Sequence, residues 1–127
     1  SRQGIGVPNY HAVANDESLV VVLIEEIEAV ENLDEILKVD DIDCFFVAPG
    51  DLAQTMGHIG DLSNPKVKST IEGAIKKIVD AGRCPGALAS EEQVATYREY
   101  GARFFLTSID PWINRGVSDF VTAMNSV

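Results

Sequence analysis

The stretches LVVVLIE, residues 19–25, and CFFVAPGD, residues 44–51, decide the fold of this chain. Each is a short apolar run that leads to a carboxylate, Glu25 after the first and Asp51 after the second. Runs that are apolar on both faces are typical of parallel strands covered on both sides. Ligands bind at the carboxyl ends of such strands, and neighbouring strands lie about 4.8 Å apart. The two acids are therefore predicted to share one metal cation.

Strand and helix signals alternate outward from these two stretches. The predicted strands span residues 19–24, 43–48, 83–89 and 103–109, and each is followed by a helix or a helix-starting turn. Between the first two strands, helical spacing predicts one helix with an apolar inner face, made of Ala29, Val30, Leu33, Ile36 and Leu37. The acids on its other face are interpreted as solvated. The count is four βα units, an α/β fold with a parallel sheet.

The later helices carry clear start and stop signals. Asn64 and Pro65 predict an N-cap and a first helical residue, and Gly82 suits the left-handed position after the end. The buried face of this helix is predicted to comprise Val67, Ile71, Ala74, Ile75 and Ile78. Ser90 and Gln93 have capping-box spacing, and Asp110 before Pro111 predicts a cap for the last helix. The inward residues of that helix are predicted to be Trp112, Ile113, Val117, Phe120 and Val121.

Four parallel units are half of a barrel. A (βα)8 barrel closes with eight strands in roughly 250 residues, whereas this chain has 127. The chain is therefore either the carboxyl-terminal half of a longer protein, or two copies must cover their open strand edges. Residues 1–18, with a short helical turn around Asn9 to Ala14, have the character of a connecting loop and favour the fragment. We interpret residues 1–127 as one partial domain whose four units occupy 19–127.

Composition excludes several partners. The net charge of −10 argues against nucleic acid and anionic membrane surfaces, which require a basic patch. The run from Leu19 to Ile24 is far shorter than the roughly 20 residues of a membrane span, and no signal segment opens the chain. The cytoplasm is the default location. Cys44 and Cys84 each lie in a strand-like run and are predicted to be buried, reduced thiols.

The candidate polar residues also have purely structural interpretations. Glu25 and Asp51, instead of binding a metal, could be helix caps or surface acids at strand ends. His58 follows Asp51 in a loop and is interpreted as solvated, and Asp110 as a cap rather than a site residue. Gly57 and Gly60 do not form a P-loop, because the required Lys and Ser or Thr are missing from the order.

Three segments carry a resemblance to a known family. Residues 23–26, 30–37 and 46–53 resemble, in order and spacing, the HpcH/HpaI aldolases, which are divalent-metal-dependent pyruvate aldolases. In that family a Glu ends the fifth barrel strand, and the sixth ends in a Gly-Pro-x-Asp-Leu-Ser motif, here residues 48–53. Residues 64–67, 81–83, 86–89 and 101–104 are similar to the last two units. The resemblance covers about Asn15 to the carboxyl terminus.

The resemblance implies a fold, a reaction and a site. The chain is expected to be the carboxyl-terminal half of a TIM barrel, with Glu25 and Asp51 holding Mg²⁺ or Mn²⁺. The reaction is aldol cleavage or formation of a 4-hydroxy-2-oxoacid, giving pyruvate and an aldehyde, with the ion stabilising the negative charge that develops on pyruvate. The resemblance also implies that backbone amides of Gly50 and Asp51, and the backbone of Leu88, contact the oxoacid. The family is commonly oligomeric, so a homo-oligomer is expected.

The chain departs from the family pattern in ways that bear on catalysis. The catalytic Arg and His of the family lie in the amino-terminal half, so we assign no catalytic residue within this chain. Leu23 stands where the family has Gln, and Ala53 where it has Ser. The alternative function is therefore a non-catalytic half-barrel that binds a divalent ion and oxoacids, or only self-associates.

Overall fold

Four parallel strands form the centre of the fold. The computed structural model describes residue 6 and residues 8–126. The strands are β1 Val21–Ile24, β2 Cys44–Val47, β3 Pro85–Leu88 and β4 Phe104–Leu106. They lie side by side in the order β1-β2-β3-β4, and every neighbouring pair is parallel. This confirms the predicted α/β fold with four βα units, although each strand is shorter than predicted.

Seven helices lie before, between and after these strands in the described residues. They are α1 Tyr10–Val13, α2 Ile27–Glu31, α3 Leu33–Ile36, α4 Pro49–Thr55, α5 Pro65–Asp80, α6 Val94–Tyr100 and α7 Asp110–Asn125. The first helix predicted between β1 and β2 is split at Asn32, whose amide Nδ2 donates to the Glu28 carbonyl at 2.8 Å. Helix α4 begins at Pro49, two residues after β2 ends, and the sequence analysis did not predict it. Within the part of the chain that is described, none of these helices has the length and apolarity to cross a membrane.

The outer face of the sheet is buried under α5. All five residues predicted for the inner face of this helix are buried, and they form one core with Phe45, Val47 and Ala87 from the strands. Asn64 caps α5 by accepting from the Lys66 N–H at 3.0 Å, and Gly82 adopts a φ of +71° after the last turn. Both end signals are thereby confirmed.

The inner face of the sheet has a smaller core. Phe46 and Phe104 meet edge to face, with 6.1 Å between ring centroids, across the strand that carries Gly86. A Cβ at Gly86 would lie 2.8 Å from both Cys44 Sγ and Phe46 Cδ2, so glycine is required by this close approach. Apolar side chains farther along the same face stay exposed, namely Leu23 (53%), Leu88 (46%) and Leu106 (50%).

Helix α7 corrects the prediction for the last helix. Its predicted inward residues are exposed, from 43% for Trp112 to 66% for Phe120, and no residue of the helix is buried. The physical reason is that β4 is the last strand of the sheet, so the described chain offers α7 no apolar surface beyond it. Asp110 is the first helical residue rather than the cap, and its carboxylate accepts from the Ser108 hydroxyl at 2.6 Å.

A polar contact attaches α7 to the rest of the fold. Glu91, in the turn after β3, accepts from the Trp112 indole N–H and from both terminal nitrogens of Arg115. Helix α6 begins at Val94, although Gln93 makes half of the predicted capping box by accepting from the Ser90 N–H at 3.1 Å.

Arg83 is a structural residue that the sequence analysis did not single out. Its guanidinium donates to the carbonyls of Leu37, Val39 and Ile42 at 2.9–3.0 Å. It also lies over the Phe45 ring, 4.8 Å from the centroid. Arg83 thus joins the start of β3 to the loop that leads into β2.

Two glycine substitutions should have opposite effects on stability. Gly86→Ala overpacks the inner face and should lower the free energy of unfolding by about 1–3 kcal/mol. Gly73→Ala, in the middle of α5 where an added Cβ meets nothing within 4 Å, should raise it by roughly 0.5–1 kcal/mol through helix propensity. Urea unfolding of both variants measures the difference. Equal effects would contradict the packing assigned to Gly86.

Removal of the Arg83 guanidinium should also destabilise the fold. In Arg83→Met three carbonyls lose a charged donor, and the expected loss is about 2 kcal/mol in urea unfolding. Arg103→Met is the matched control, because Arg103 is an exposed neighbour at the start of β4. The control should change stability by no more than roughly 0.5 kcal/mol. An unchanged free energy of unfolding in Arg83→Met would show that the three hydrogen bonds contribute nothing to stability.

The attachment of α7 should depend on pH. The hydrogen bond from Arg115, and then that from Trp112, lowers the pKa of the Glu91 carboxyl. A carboxyl with a lowered folded-state pKa stabilises the contact above its ordinary pKa of about 4.3 and loses that effect as pH falls through the lower value. The emission of Trp112, the single tryptophan of the sequence, should therefore change only in this acid range.

Substitutions of Glu91 and of its neighbour Glu92 test which carboxylate causes the pH dependence of the Trp112 emission. Glu91→Ala should show the acid-form emission already at neutral pH, whereas Glu92→Ala, an exposed neighbour, should keep the wild-type profile. An unaltered profile in Glu91→Ala would rule out Glu91 as the anchor.

Candidate functional site

Glu25 and Asp51 lie at the carboxyl ends of neighbouring strands. Glu25 directly follows β1, and Asp51 lies in the first turn of α4, which follows β2 after Ala48. The register pairs Ile24 with Val47, and the Ala48 N–H donates to the Ile24 carbonyl at 3.1 Å. The backbone segments that carry the two acids therefore leave the sheet next to each other, as the sequence analysis expects.

The surroundings of the two acids are open. Glu25 is partly buried and Asp51 is exposed. The four ion pairs found among the described residues use Asp34, Glu35, Glu72 and Glu91, and neither site acid takes part in them. The Ile27 N–H donates to Thr55 Oγ1 at 3.2 Å, which ties the start of α2 to the end of α4 beside the acids. The start of α2, which lies two residues after Glu25, is thus anchored to the helix that carries Asp51.

The donor set fits a hard divalent cation bound in part by solvent. Within residues 8–126, no three His, Cys, Asp or Glu side chains are grouped so that they could hold a metal ion. Two carboxylates alone are the kind of protein contribution that Mg²⁺ accepts, because this ion retains water and takes substrate oxygens at its other positions. The residues present are therefore compatible with an ion shared between protein, water and an oxoacid.

A pocket lies at the carboxyl ends of β2, β3 and β4. It has a volume of about 240 Å³, and its wall includes Pro49, Gly50, Leu88, Ser90, Thr107 and Ser108. The structure thus brings together Gly50 and Leu88, two of the residues predicted to contact substrate, whereas Glu25 and Asp51 are outside the wall of this pocket.

Backbone donors at the start of α4 face no partner within their own helix. The first intrahelical bond of α4 runs from the Leu52 N–H to the Ala48 carbonyl at 3.1 Å. The N–H groups of Gly50 and Asp51 precede that bond, so the helix itself does not satisfy them. Such groups suit the carboxylate of a small acid, provided that a pocket brings it there.

The structure places the two residues that depart from the family pattern, and also His58. Leu23 is exposed on the inner face of β1, whereas Ala53 is fully buried in the core against α5. The change at residue 53 therefore affects packing rather than the strand ends. His58 is partly buried, with Nδ1 3.3 Å from the Asn64 amide Nδ2, which corrects the prediction of a solvated loop histidine.

Sequence reasoning missed three hydroxyl residues in the pocket wall. Ser90 follows β3 closely, and Thr107 and Ser108 follow β4 directly. Glu25 and Asp51 were selected because each is a polar residue soon after an apolar strand, and the three hydroxyl residues meet the same criterion. The sequence analysis assigned Ser90 to a capping box and extended the fourth strand through Ser108, and so did not recognise them.

Comparisons with known proteins show the family to which this chain is similar. The family model for HpcH/HpaI aldolase/citrate lyase matches residues 1–111. A hydroxypyruvate/pyruvate aldolase of Roseovarius nubinhibens is 44% identical over 105 residues, which are 82% of this chain and 41% of the relative. A 4-hydroxy-2-oxo-heptane-1,7-dioate aldolase of Klebsiella pneumoniae is 46% identical over 105 residues, with 82% and 40% covered. The family match begins earlier than Asn15, so the leading residues share the similarity.

A solved structure supports the same assignment of fold. The crystal structure of a family protein from Burkholderia cenocepacia J2315 superposes with a TM-score of 0.82 at 29% identity, covering 94% of this chain and 47% of that protein. The chain therefore spans less than half the length of these relatives.

Proposed function

The chain belongs to the HpcH/HpaI aldolase/citrate lyase family, and from this membership we propose that it supplies the metal-binding half of the active site of a carbon–carbon lyase. The proposed reaction is cleavage of a 4-hydroxy-2-oxoacid to pyruvate and an aldehyde, or the reverse addition. The observation that supports it best is the pairing of β1 with β2, which carries Glu25 and Asp51 on adjacent strand ends.

We assign the two carboxylates to the metal. Glu25 and Asp51 would hold Mg²⁺ or Mn²⁺ through oxygen atoms and leave the remaining positions to water and substrate. A bound ion would polarise the ketone of the oxoacid and stabilise the negative charge that develops on its oxygen. The Ile27–Thr55 hydrogen bond would serve the site by holding the start of α2 against the end of α4.

The oxoacid is proposed to bind between the ion and the pocket. The N–H groups of Gly50 and Asp51 would orient its carboxylate, and the strand end at Leu88 would border the side that holds the aldehyde part. The pocket wall is mostly apolar with a few hydroxyl groups, which is the usual character of a small-molecule site. The catalytic Arg and His that the family resemblance implies would come from outside this chain.

The second candidate is a half-barrel that binds an ion and an oxoacid without turnover. Leu23 favours it, because an exposed apolar side chain stands on the inner face where the family has Gln. Leucine cannot hydrogen-bond a substrate or a metal-bound water, so a step that needs that hydrogen bond would fail, whereas Glu25 and Asp51 would still be present to hold the ion. A homo-oligomer and a cytoplasmic location stay predictions for either candidate, since both rest on the family resemblance and on the sequence.

Calorimetry of Mn²⁺ binding tests the site directly. Mn²⁺ titrated into the protein, at the full length that its gene encodes, should bind more tightly in the presence of pyruvate. Glu25→Gln or Asp51→Asn should weaken Mn²⁺ binding at least roughly tenfold, about 1.4 kcal/mol, because each removes an anionic ligand. Glu26→Gln is the matched control, since Glu26 is the exposed neighbour of Glu25 and should bind as the wild type does.

An assay of pyruvate release separates the two candidates. Turnover that requires Mg²⁺ or Mn²⁺ and is lost in both site variants supports the lyase. Metal and pyruvate binding without turnover supports the non-catalytic half-barrel. Metal-dependent turnover that survives both substitutions would overturn the assignment of Glu25 and Asp51.

A further inference from the structure

Two free cysteines face each other across neighbouring strands at the end of the sheet opposite to Asp51. Cys44 begins β2 and Cys84 immediately precedes β3. The register pairs Phe45 with Pro85, and the Phe45 N–H donates to the Cys84 carbonyl at 2.9 Å, so the residues one step earlier are also neighbours. Side chains at equivalent positions of paired strands point to the same face of a sheet. The two thiols therefore lie side by side on the inner face.

The Cys44 sulfur is directed toward the strand that Cys84 precedes. Cys44 Sγ would lie 2.8 Å from a Cβ placed on Gly86, so it leans over β3 where glycine leaves room. Strand neighbours have backbones about 4.8 Å apart, which is within the Cα separation of roughly 4.4–6.8 Å that disulfides bridge. The backbone spacing of this pair is therefore compatible with a covalent link between β2 and β3.

The two cysteines differ in accessibility. Cys44 is 3% exposed, whereas Cys84 is partly exposed and lines an open pocket of about 360 Å³. Arg83 and Arg103 belong to the wall of the same pocket, and reactive cysteines are typically partly exposed and near positive charge. Burial, followed by the adjacent Cys84, raises the pKa of the Cys44 thiol to about 12, which keeps that thiol protonated. Only Cys84 is suited to react first with a reagent from solvent.

We propose that Cys44 and Cys84 form a reversible dithiol–disulfide pair that is oxidised by a hydroperoxide. The Cys84 sulfur attacks the distal peroxide oxygen, the O–O bond breaks, and Cys84 becomes a sulfenic acid as the other oxygen leaves as water or alcohol with the thiol proton. The Cys44 sulfur then attacks the Cys84 sulfur, the S–O bond breaks, and water leaves with the Cys44 proton. Two thiols are oxidised and one peroxide is reduced.

Reversibility follows from the accessibility of Cys84. Cys84 is partly exposed and lines an open pocket, so a small reductant can reach a bridge at its sulfur. Exposed disulfides are more easily reduced than buried structural ones. The pair is therefore expected to return to two thiols with a small dithiol reductant.

The test is oxidation with hydrogen peroxide followed by non-reducing peptide mapping. It uses the protein at the full length that its gene encodes. Wild-type protein should yield a crosslinked peptide containing Cys44 and Cys84, lose both thiols to titration, and regain them on reduction with dithiothreitol. Oxidation that stops on Cys84 alone, or that leaves both thiols free, would overturn the proposal.

Single substitutions assign the order of the two steps. Cys44→Ala should stop at the sulfenic acid, which a 1,3-diketone traps on Cys84. Cys84→Ala should leave Cys44 unmodified at the same peroxide dose, and Cys84→Ser is a second variant should the alanine chain fold poorly. Equal reaction of Cys44 in the presence and absence of Cys84 would contradict the order. The readout is chemical and independent of the proposed lyase activity.

Discussion

The register of the four parallel strands is the constraint on which the rest of the structure depends. It pairs Val22 with Phe45, and Phe45 with Pro85, on the face that packs under α5. On the other face it pairs Leu23 with Phe46, and Phe46 with Gly86. A slip of one residue in β2 would exchange these two sets, placing Cys44 and Phe46 under α5 and Phe45 and Val47 on the inner face, so the packing of both faces depends on this register. The same register places Glu25 next to the start of α4, which carries Asp51, so the core and the candidate site depend on the same strand pairing.

The unequal covering of the two faces accounts for what is exposed. The outer face is closed by α5 and its neighbours, whereas the inner face has only the cluster around Cys44, Phe46 and Ala48. Among the described residues, β1 and β4 each pair with one strand, which leaves their other edges available. The chain covers 47% of a structural relative, and a closed barrel of eight strands would place further side chains opposite Leu23, Leu88 and Leu106.

The sequence predicted those features that arise from contacts within the chain. The face of α5 was predicted completely, because its apolar residues meet strands that are present, and its caps act through neighbours such as Asn64 and Lys66. The exposure of the apolar face of α7 was not predictable. Periodicity shows that Phe120 and Val121 share a face, but it does not show whether another element covers that face. Arg83 and the split at Asn32 depend on side-chain hydrogen bonds to particular carbonyls, which no hydrophobic pattern encodes. The positions of Glu25 and Asp51 followed from a general property of parallel sheets, but their relation to the neighbouring pocket needed the structure.

In this parallel sheet, the two ends of the strands carry different reactive groups. All carboxyl ends lie on one side, with Glu25, Asp51 and the pocket near Ser108, and all amino ends lie on the other, with Cys44 and Cys84. Cys44 and Asp51 belong to the same strand-and-helix segment, and β2 is buried along its whole length and paired on both sides. A link between Cys44 and Cys84 would therefore fix β2 against β3 in the register they already have, without redirecting the carboxylates at the far end. The proposed metal site and the proposed thiol pair are for this reason separable, and the loss of one does not require the loss of the other.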